Sequence, residues 1–185
     1  MRGRAGVFLD RDGTIIEDAG YLGDPAGVRL LPGSAEAVAR LNRAGRPVIV
    51  VTNQSGIARG LLGEQQYLAT EARLDALLSS AGAAVDAHYH CPHHPDITGP
   101  CDCRKPGTLL YRRAAERFGL DPHACWWVGD RLRDVEAALT LGGRGILVRT
   151  GEGMIEAQRD GASRYAIVDD LAAAVGLILR DAGER

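Results

Sequence analysis

The chain has 185 residues, 45% of them hydrophobic and 25% charged, a composition typical of an ordinary globular protein with one sizeable core. Its formal net charge is −2, so no excess of positive charge favours binding to nucleic acid or to a membrane surface. No apolar run approaches the roughly 20 residues that span a bilayer, and the sequence shows no pattern of a signal peptide. We expect a cytoplasmic monomer with one domain over residues 1–185.

Short apolar runs alternate along the chain with longer segments of helical periodicity. The predicted strands, in chain order, are residues 5–9, 47–51, 84–90, 124–128, 145–148 and, as a shorter one, 165–168. The predicted helices are residues 34–44, 64–81, 108–118, 132–141 and 171–182. The apolar face expected for the second helix consists of Leu68, Ala72, Leu74, Leu77 and Leu78. This alternation predicts an α/β fold, a Rossmann-like parallel sheet sandwiched by helices.

Polar motifs follow four of the predicted strands. They are DRDGT at residues 10–14, TNQSG at 52–56, RK at 104–105 and GDR at 129–131. In a parallel sheet, ligands bind beyond the carboxyl ends of the strands, so these four motifs are expected to meet at one site.

Asp10 and Asp12 form the carboxylate pair of the first motif. Such a pair often has only a structural role, but the following glycine and Thr14 favour a chemical one. Two close carboxylates repel unless a cation lies between them, and Mg²⁺ with its preference for oxygen ligands suits this arrangement. Asp130 adds another carboxylate, although it could instead cap the following helix. Asp134, one helical turn later, could bond to metal-bound water or lie on the solvated helix surface.

Phosphoryl transfer needs a nucleophile in line, positive charge on the equatorial oxygens and a proton for the leaving oxygen. Asp10 can attack phosphorus to form an aspartyl phosphate, while Asp12 can act as the general acid and base. The Thr52 hydroxyl and the backbone N–H groups of residues 52–56 can bind the phosphoryl oxygens. Lys105 supplies a fixed positive charge.

The segments FLDRDGTI, VTNQSGIARG, CDCRKP and VGDRLRD, in this order and spacing, resemble the haloacid dehalogenase-like (HAD-like) phosphatases. The resemblance covers residues 7 to about 150. It implies that Asp10 is the nucleophile, Asp12 the acid/base, Thr52 the phosphoryl-binding hydroxyl and Lys105 the stabilising cation. It also implies that Mg²⁺ is held by Asp10, Asp130 and the main-chain carbonyl of Asp12, and that the fold has no large cap domain.

Four cysteine and histidine side chains lie close together within residues 91–103. Cys91, His93, Cys101 and Cys103 match the ligand types and the tetrahedral ligand number of a structural Zn²⁺ site. A loop of free thiols is the alternative, and His90 or His94 could replace His93; the family pattern favours His93. We expect the zinc-binding loop to be structural, stiffening the segment that presents Arg104 and Lys105. Cys125 stands apart in an apolar run and is predicted to be a buried small hydrophobe.

The narrower resemblance is to the branch that contains the D-glycero-D-manno-heptose 1,7-bisphosphate phosphatases and the histidinol-phosphatase domain. It implies a phosphorylated small-molecule substrate, with the heptose bisphosphate hydrolysed at C7 as the first choice and histidinol phosphate as the alternative, which the short zinc loop favours. The predicted substrate contacts are Asp18, Tyr21, Asn53, Gln54, Ser55, Arg59 and Arg104. Arg59 and Arg104 would suit a second, unreacting phosphate, although Arg59 could instead be a surface charge. A non-catalytic phospho-receiver module is a further alternative, which the acid/base residue Asp12 disfavours.

Overall fold

The computed structural model of the protein describes residues 3–183. Its six strands are β1 (Val7–Leu9), β2 (Val48–Asn53), β3 (Ala87–Cys91), β4 (Trp126–Gly129), β5 (Arg144–Val148) and β6 (Ala166–Val168). They form one parallel sheet in the order β3-β2-β1-β4-β5-β6. The Rossmann-like parallel sheet predicted from the alternating pattern is therefore confirmed.

Seven helices within the described residues surround the sheet. They are α1 (Ser34–Arg43), α2 (Glu64–Ser80), α3 (Pro95–Thr98), α4 (Leu109–Phe118), α5 (Leu132–Leu141), α6 (Gly153–Glu156) and α7 (Leu171–Gly183). The sequence patterns predicted the five long helices to within two residues at each end, but not the single-turn helices α3 and α6. No helix within residues 3–183 is both long and apolar enough to cross a membrane.

Successive side chains of a strand point to opposite sides of the sheet. Because both sets of side chains are apolar and buried, helices cover both faces of the sheet. In β1, Val7 and Leu9 pack into a core layer shared with α1, α2 and α7. Phe8 points the other way, into the layer shared with α4 and α5. Val7 pairs with Val48 of β2 on one side and with Trp126 of β4 on the other. The central strand β1 thus places its carboxyl end between those of β2 and β4.

The predicted apolar face of α2 was only half right. Leu68 is 46% exposed and Ala72 is exposed as well. The side chains that face the interior are Tyr67, Thr70, Leu74 and Leu78. This stripe has helical spacing but contains two polar side chains, since the N-terminal half of α2 packs against the guanidinium of Arg11 rather than against apolar side chains.

Candidate active site

A cavity of about 360 Å³ lies beyond the carboxyl ends of β1, β2 and β4. It is lined by Asp10, Asp12, Thr52, Lys105, all seven predicted substrate contacts, and also Gly20, Gly56, His94, Arg131, Arg133 and Asp134. The sheet topology therefore brings together the residues that the strand-end rule selected from four distant segments of the sequence.

Lys105 joins two carboxylates at the floor of the cavity. Its Nζ donates to Asp10 Oδ1 at 2.6 Å and to the Val51 carbonyl at 2.8 Å, and it lies 2.8 Å from Asp134 Oδ1. These three acceptors match the three N–H donors of an ammonium group. Burial opposes the charge on Lys105, but the neighbouring Asp10 and Asp134 raise its pKa above the ordinary value. Lys105 is therefore a fixed cation beside Asp10.

Asp134 is 3% exposed, so the solvated-surface alternative for this residue is wrong. Its Oδ1 faces Lys105, and its Oδ2 accepts from the backbone N–H of Arg131 at 3.0 Å. Both oxygens are thus engaged in bonds to the protein. The backbone carbonyl of Asp134 also accepts from the hydroxyl of Tyr111, a buried contact with α4.

Asp10, Asp130 and Asp134 place carboxylate oxygens within 4.8 Å of one another. Burial, together with the other carboxylates, raises the pKa of Asp10 to about 7 and that of Asp130 to about 8. One lysine does not neutralise three buried carboxylates at neutral pH, so the group favours a further cation. All the donors in this group are carboxylate oxygens, which are the ligands that Mg²⁺ prefers. The residues therefore fit a Mg²⁺ site.

The free oxygens of this group identify which residues would hold the ion. Asp130 Oδ2 accepts from the backbone N–H of Glu152 at 2.9 Å, while its Oδ1 is buried without a hydrogen-bond partner in the described structure. Asp10 uses Oδ1 for Lys105, which leaves Oδ2. Gly13 and Gly151 enclose Asp130 so closely that a Cβ on either would lie 2.3 or 2.2 Å from Oδ2. Asp10 and Asp130, rather than Asp134, offer the unused oxygens.

Asp12 is held by a side chain that the sequence patterns did not single out. Arg11 is 1% exposed, and its Nε and Nη2 bond the two Asp12 oxygens at 3.1 and 3.0 Å. Its Nη1 donates to Thr70 at 3.0 Å, and its guanidinium lies over the Tyr67 ring. The contact between Arg11 and Thr70 joins residues 59 positions apart, so no local sequence pattern indicates it.

Gln54 connects Asp12 to Thr52. Its Nε2 lies 3.0 Å from Asp12 Oδ2 and 2.9 Å from Thr52 Oγ1. Gln54, a predicted substrate contact, lines the cavity, but its amide nitrogen bonds these two side chains. Asn53 likewise holds the backbone of Lys105 from both sides, with Oδ1 accepting its N–H at 3.0 Å and Nδ2 donating to its carbonyl at 3.3 Å. The two amides thus fix the positions of other site residues.

The loop after β1 closes the opposite side of the cavity. Asp18 Oδ1 accepts from the Gly20 N–H at 2.9 Å, and its Oδ2 accepts from Arg131 at 3.0 Å. The ring of Tyr21 packs on Gly56, where a Cβ would lie 2.7 Å from the ring. Half of Tyr21 remains exposed. The loop is therefore fastened both to the segment after β4 and to the turn after β2.

The proposed zinc ligands form a compact group beside the cavity. The Sγ of Cys103 lies 3.0 Å from that of Cys91 and 3.5 Å from that of Cys101, and Cys91 and Cys101 are 3.7 Å apart. His93 turns its Nδ1 toward Cys103 at 3.2 Å. Zn–S bonds of about 2.3 Å put two sulfurs of a tetrahedral site roughly 3.8 Å apart. The Cys91–Cys101 and Cys101–Cys103 distances are close to this value, and the Cys91–Cys103 pair would have to separate to hold the ion.

The geometry excludes the two alternative histidine ligands. His90 contacts Glu64 at 2.7 Å, and His94 contacts Arg59 at 2.7 Å, so neither joins the cysteine group. Arg104 donates to the His93 carbonyl at 3.2 Å. Cys125 is buried and its Sγ accepts from Gly6 N, as expected of a structural thiol.

Comparison with known proteins gives a consistent result. A family model described as haloacid dehalogenase-like hydrolase matches residues 7–94, and a second HAD-hydrolase-like model matches residues 102–174. A D-glycero-beta-D-manno-heptose-1,7-bisphosphate 7-phosphatase of Pseudomonas aeruginosa is 39% identical over 178 residues, covering 96% of this chain and 99% of that protein. The Pseudomonas putida protein of the same name is 42% identical, covering 90% and 95%.

Among solved structures, the D,D-heptose 1,7-bisphosphate phosphatase of Bordetella bronchiseptica, crystallised with magnesium and phosphate, is similar to this chain with a TM-score of 0.87. It is 38% identical, and the match covers 96% of this chain and 99% of that one. The resemblance seen in the four motifs is therefore confirmed. The chain belongs to the haloacid dehalogenase-like hydrolase family.

Proposed function

We propose that this protein is a Mg²⁺-dependent phosphomonoesterase that removes the C7 phosphate of D-glycero-D-manno-heptose 1,7-bisphosphate. The observation that carries the proposal is the position of Asp10, whose carboxylate lies at the floor of the cavity 2.6 Å from the buried ammonium of Lys105. The relatives that match nearly the whole chain are bisphosphate 7-phosphatases, which supports the choice of substrate.

The first step is attack by a carboxylate oxygen of Asp10 on the phosphorus of the ester. A bond forms between Asp10 and phosphorus while the bond from phosphorus to the sugar oxygen breaks. The leaving oxygen takes a proton from Asp12, and the products are the sugar and an aspartyl phosphate on Asp10. In the structure Arg11 and Gln54 hold Asp12 in the form that accepts hydrogen bonds.

The second step is hydrolysis of the aspartyl phosphate. Asp12, now ionised, takes a proton from a water molecule, whose oxygen attacks phosphorus. The bond between phosphorus and Asp10 breaks, so inorganic phosphate is released and the Asp10 carboxylate is restored. Arg11 bonds both oxygens of Asp12 and so holds its carboxylate in place for this step.

The positive charge needed by the transferring phosphoryl group comes from several directions. Lys105 lies beside Asp10, and the Thr52 hydroxyl is buried at the end of β2. Mg²⁺, held by Asp10, Asp130 and the Asp12 carbonyl, would add positive charge at the phosphoryl oxygens. The zinc site has four protein ligands and no open position, so its role is to stiffen the loop.

Selection of a bisphosphate is assigned to Arg59 and Arg104. Both guanidiniums line the cavity, and each has donated one hydrogen bond to the segment at residues 93–94. A guanidinium has five N–H donors, so each retains donors for an anion. The phosphate that is not hydrolysed would bind here, away from the carboxylates.

A kinetic panel tests this selection. We expect the wild-type enzyme to prefer the heptose bisphosphate, offered as both anomers, over heptose monophosphates and histidinol phosphate. The change Arg104→Ala should lower kcat/KM on the bisphosphate about 10- to 100-fold, because loss of a charge-assisted contact costs about 1.5–3 kcal/mol. On p-nitrophenyl phosphate the loss should be much smaller. A wild-type preference for histidinol phosphate over every sugar bisphosphate would replace this substrate assignment with the alternative.

We further propose that the enzyme works in the cytoplasm as a monomer, with residues 1–185 acting as one domain. The continuous sheet, with strands drawn from both ends of the described chain, supports the single domain. Light scattering after size-exclusion chromatography at working concentration tests the monomer, and a mass of two chains would refute it.

A further inference from the structure

Arg59 and His94 meet at the rim of the catalytic cavity, and the catalytic roles and the metal ligands proposed above leave His94 unused. Arg59 Nη2 lies 2.7 Å from His94 Nε2, and both residues line the cavity. A guanidinium can only donate, so His94 Nε2 is the acceptor in this contact. An imidazole that accepts through Nε2 is neutral and carries its proton on Nδ1.

The two neighbours of Nδ1 require different roles of it. His94 Nδ1 lies 3.8 Å from Asp96 Oδ2, a carboxylate toward which an N–H group can point. It also lies 3.3 Å from the backbone N of Asp96, which would require Nδ1 to accept instead. The two ring nitrogens of a neutral histidine cannot both accept, and the Arg59 contact is shorter and involves a charged donor. The assignment of the proton to Nδ1 therefore follows from the hydrogen-bond network.

The backbones that carry the two side chains are fixed to neighbouring segments. The His94 N–H donates to Thr98 Oγ1 at 3.0 Å, and the same hydroxyl donates to the His94 carbonyl at 2.9 Å. The Arg59 N–H donates to the Ser55 carbonyl at 3.1 Å, and the preceding Ala58 N–H donates to the Pro92 carbonyl at 3.1 Å. The turn after β2 is thus joined to the segment that follows β3.

A long flexible side chain loses rotamer freedom when it is ordered around a ligand, and this loss weakens binding. A contact that orders the side chain before the ligand arrives removes part of that loss. The contact with His94 engages one N–H group of Arg59 and leaves the others for the cavity. We propose that His94 is a positioning residue, which preorganises the Arg59 guanidinium to bind the substrate phosphate that is not hydrolysed. This inference rests on the proposed function for the identity of that anion.

Kinetics of His94→Leu, Arg59→Ala and the double variant measure the coupling between the two residues. On the bisphosphate, His94→Leu should raise KM about 10-fold and change kcat less than about twofold. In the Arg59→Ala background the same change should alter KM less than about twofold, because the group it orders is gone. His94→Gln, whose amide oxygen can accept from Arg59, should restore most of the loss. An equal effect of His94→Leu in both backgrounds would overturn the proposal.

The matched control is His90→Gln. His90 also flanks the proposed zinc ligands, but it contacts Glu64 and does not line the cavity, so its substitution should leave KM unchanged. Zinc content and melting temperature of each variant should equal those of the wild type. If the His94→Leu effect on p-nitrophenyl phosphate is as large as that on the bisphosphate, the role is structural and the proposal is wrong.

A spectroscopic measurement tests the pairing without any substrate. In ¹⁵N NMR spectra near pH 8, the imidazole of His94 should show the Nδ1–H tautomer with an unprotonated Nε2. Arg59→Ala should shift the Nε2 resonance, and His90→Gln should not. An Nε2–H tautomer in the wild type would overturn the pairing. If the NMR result holds but the wild type does not hydrolyse the bisphosphate, the proposed substrate fails and the pairing stands.

Discussion

The buried carboxylates should make the stability of the Mg²⁺-free protein depend on pH in a direction opposite to that of an ordinary salt bridge. The pKa of Asp10 is raised from 3.8 to about 7, first by burial and then by the neighbouring Asp134. That of Asp130 is raised to about 8, first by burial and then by Asp10. The folded state therefore holds protons that the unfolded state has released above pH 4. The stability that these two protons contribute is fully present below about pH 4 and is lost as the pH rises toward 8.

The shift of Asp10, about three units at about 1.4 kcal/mol each, corresponds to about 4 kcal/mol between the two limits. For a protein of this size that equals a fall of about 8–16 °C in melting temperature. Excess Mg²⁺ should reverse much of the loss at pH 8, because a Mg²⁺ concentration about 100 times its Kd adds about 2.7 kcal/mol to the stability. At pH 5 the same Mg²⁺ concentration should have little effect, because protons compete for the carboxylates.

Differential scanning calorimetry of protein dialysed into Mg²⁺-free buffer, from pH 4 to pH 8.5, measures this dependence. Dialysis is preferable to a strong chelator because the zinc site must stay filled. Asp10→Asn, which removes one of the titrating groups, should flatten the profile and is the matched control. The claim that Lys105 alone does not neutralise the three buried carboxylates would be refuted by a melting temperature that is constant over this range. It would also be refuted if Mg²⁺ raised the melting temperature equally at pH 5 and pH 8.

Three further substitutions test individual supports of the site. Gly151 has a φ of +56° and lies against Asp130, so Gly151→Ala should lower stability by about 1–3 kcal/mol and weaken Mg²⁺ affinity, measured by thermal denaturation and Mg²⁺ titration of activity; an unchanged titration would exclude the contact. Cys103→Ser should reduce zinc to well below one ion per chain in elemental analysis and lower the melting temperature; full zinc retention would contradict the ligand assignment. Arg11→Gln should lower kcat about 10- to 100-fold at unchanged KM, because Asp12 loses the group that orients it; wild-type kcat would show that the fork is dispensable.

The sequence predicted most of this architecture because its determinants are local. Each strand is a short apolar run, and the motif that follows it lies at the same edge of the sheet as the others once the strands are parallel. The cysteine and histidine cluster was predicted for the same reason, since Cys91, His93, Cys101 and Cys103 all lie within thirteen residues.

The features that the sequence did not reveal depend on contacts between distant segments. In the sequence Arg11 is simply the residue between Asp10 and Asp12, and nothing marks it as buried. Only the packing of α2 shows that it is buried against Thr70. The burial of Asp134 depends on Lys105, which lies 29 positions earlier in the chain. Leu68 illustrates the reverse error, because an apolar side chain at helical spacing was assigned to the core, although Tyr67 and Thr70 occupy that face.

The central claim is that Asp10 becomes phosphorylated during turnover, and trapping the intermediate tests it most directly. The Asp12→Asn variant lacks both the acid of the first step and the base that breaks the aspartyl phosphate. With p-nitrophenyl phosphate, whose leaving group needs no acid, the intermediate should therefore accumulate and survive an acid quench. Mass spectrometry of the digested protein should then find one phosphoryl group on the peptide that contains Asp10, and none in the variant that also carries Asp10→Asn. Phosphate on another residue, or undiminished turnover by Asp10→Asn, would contradict the account.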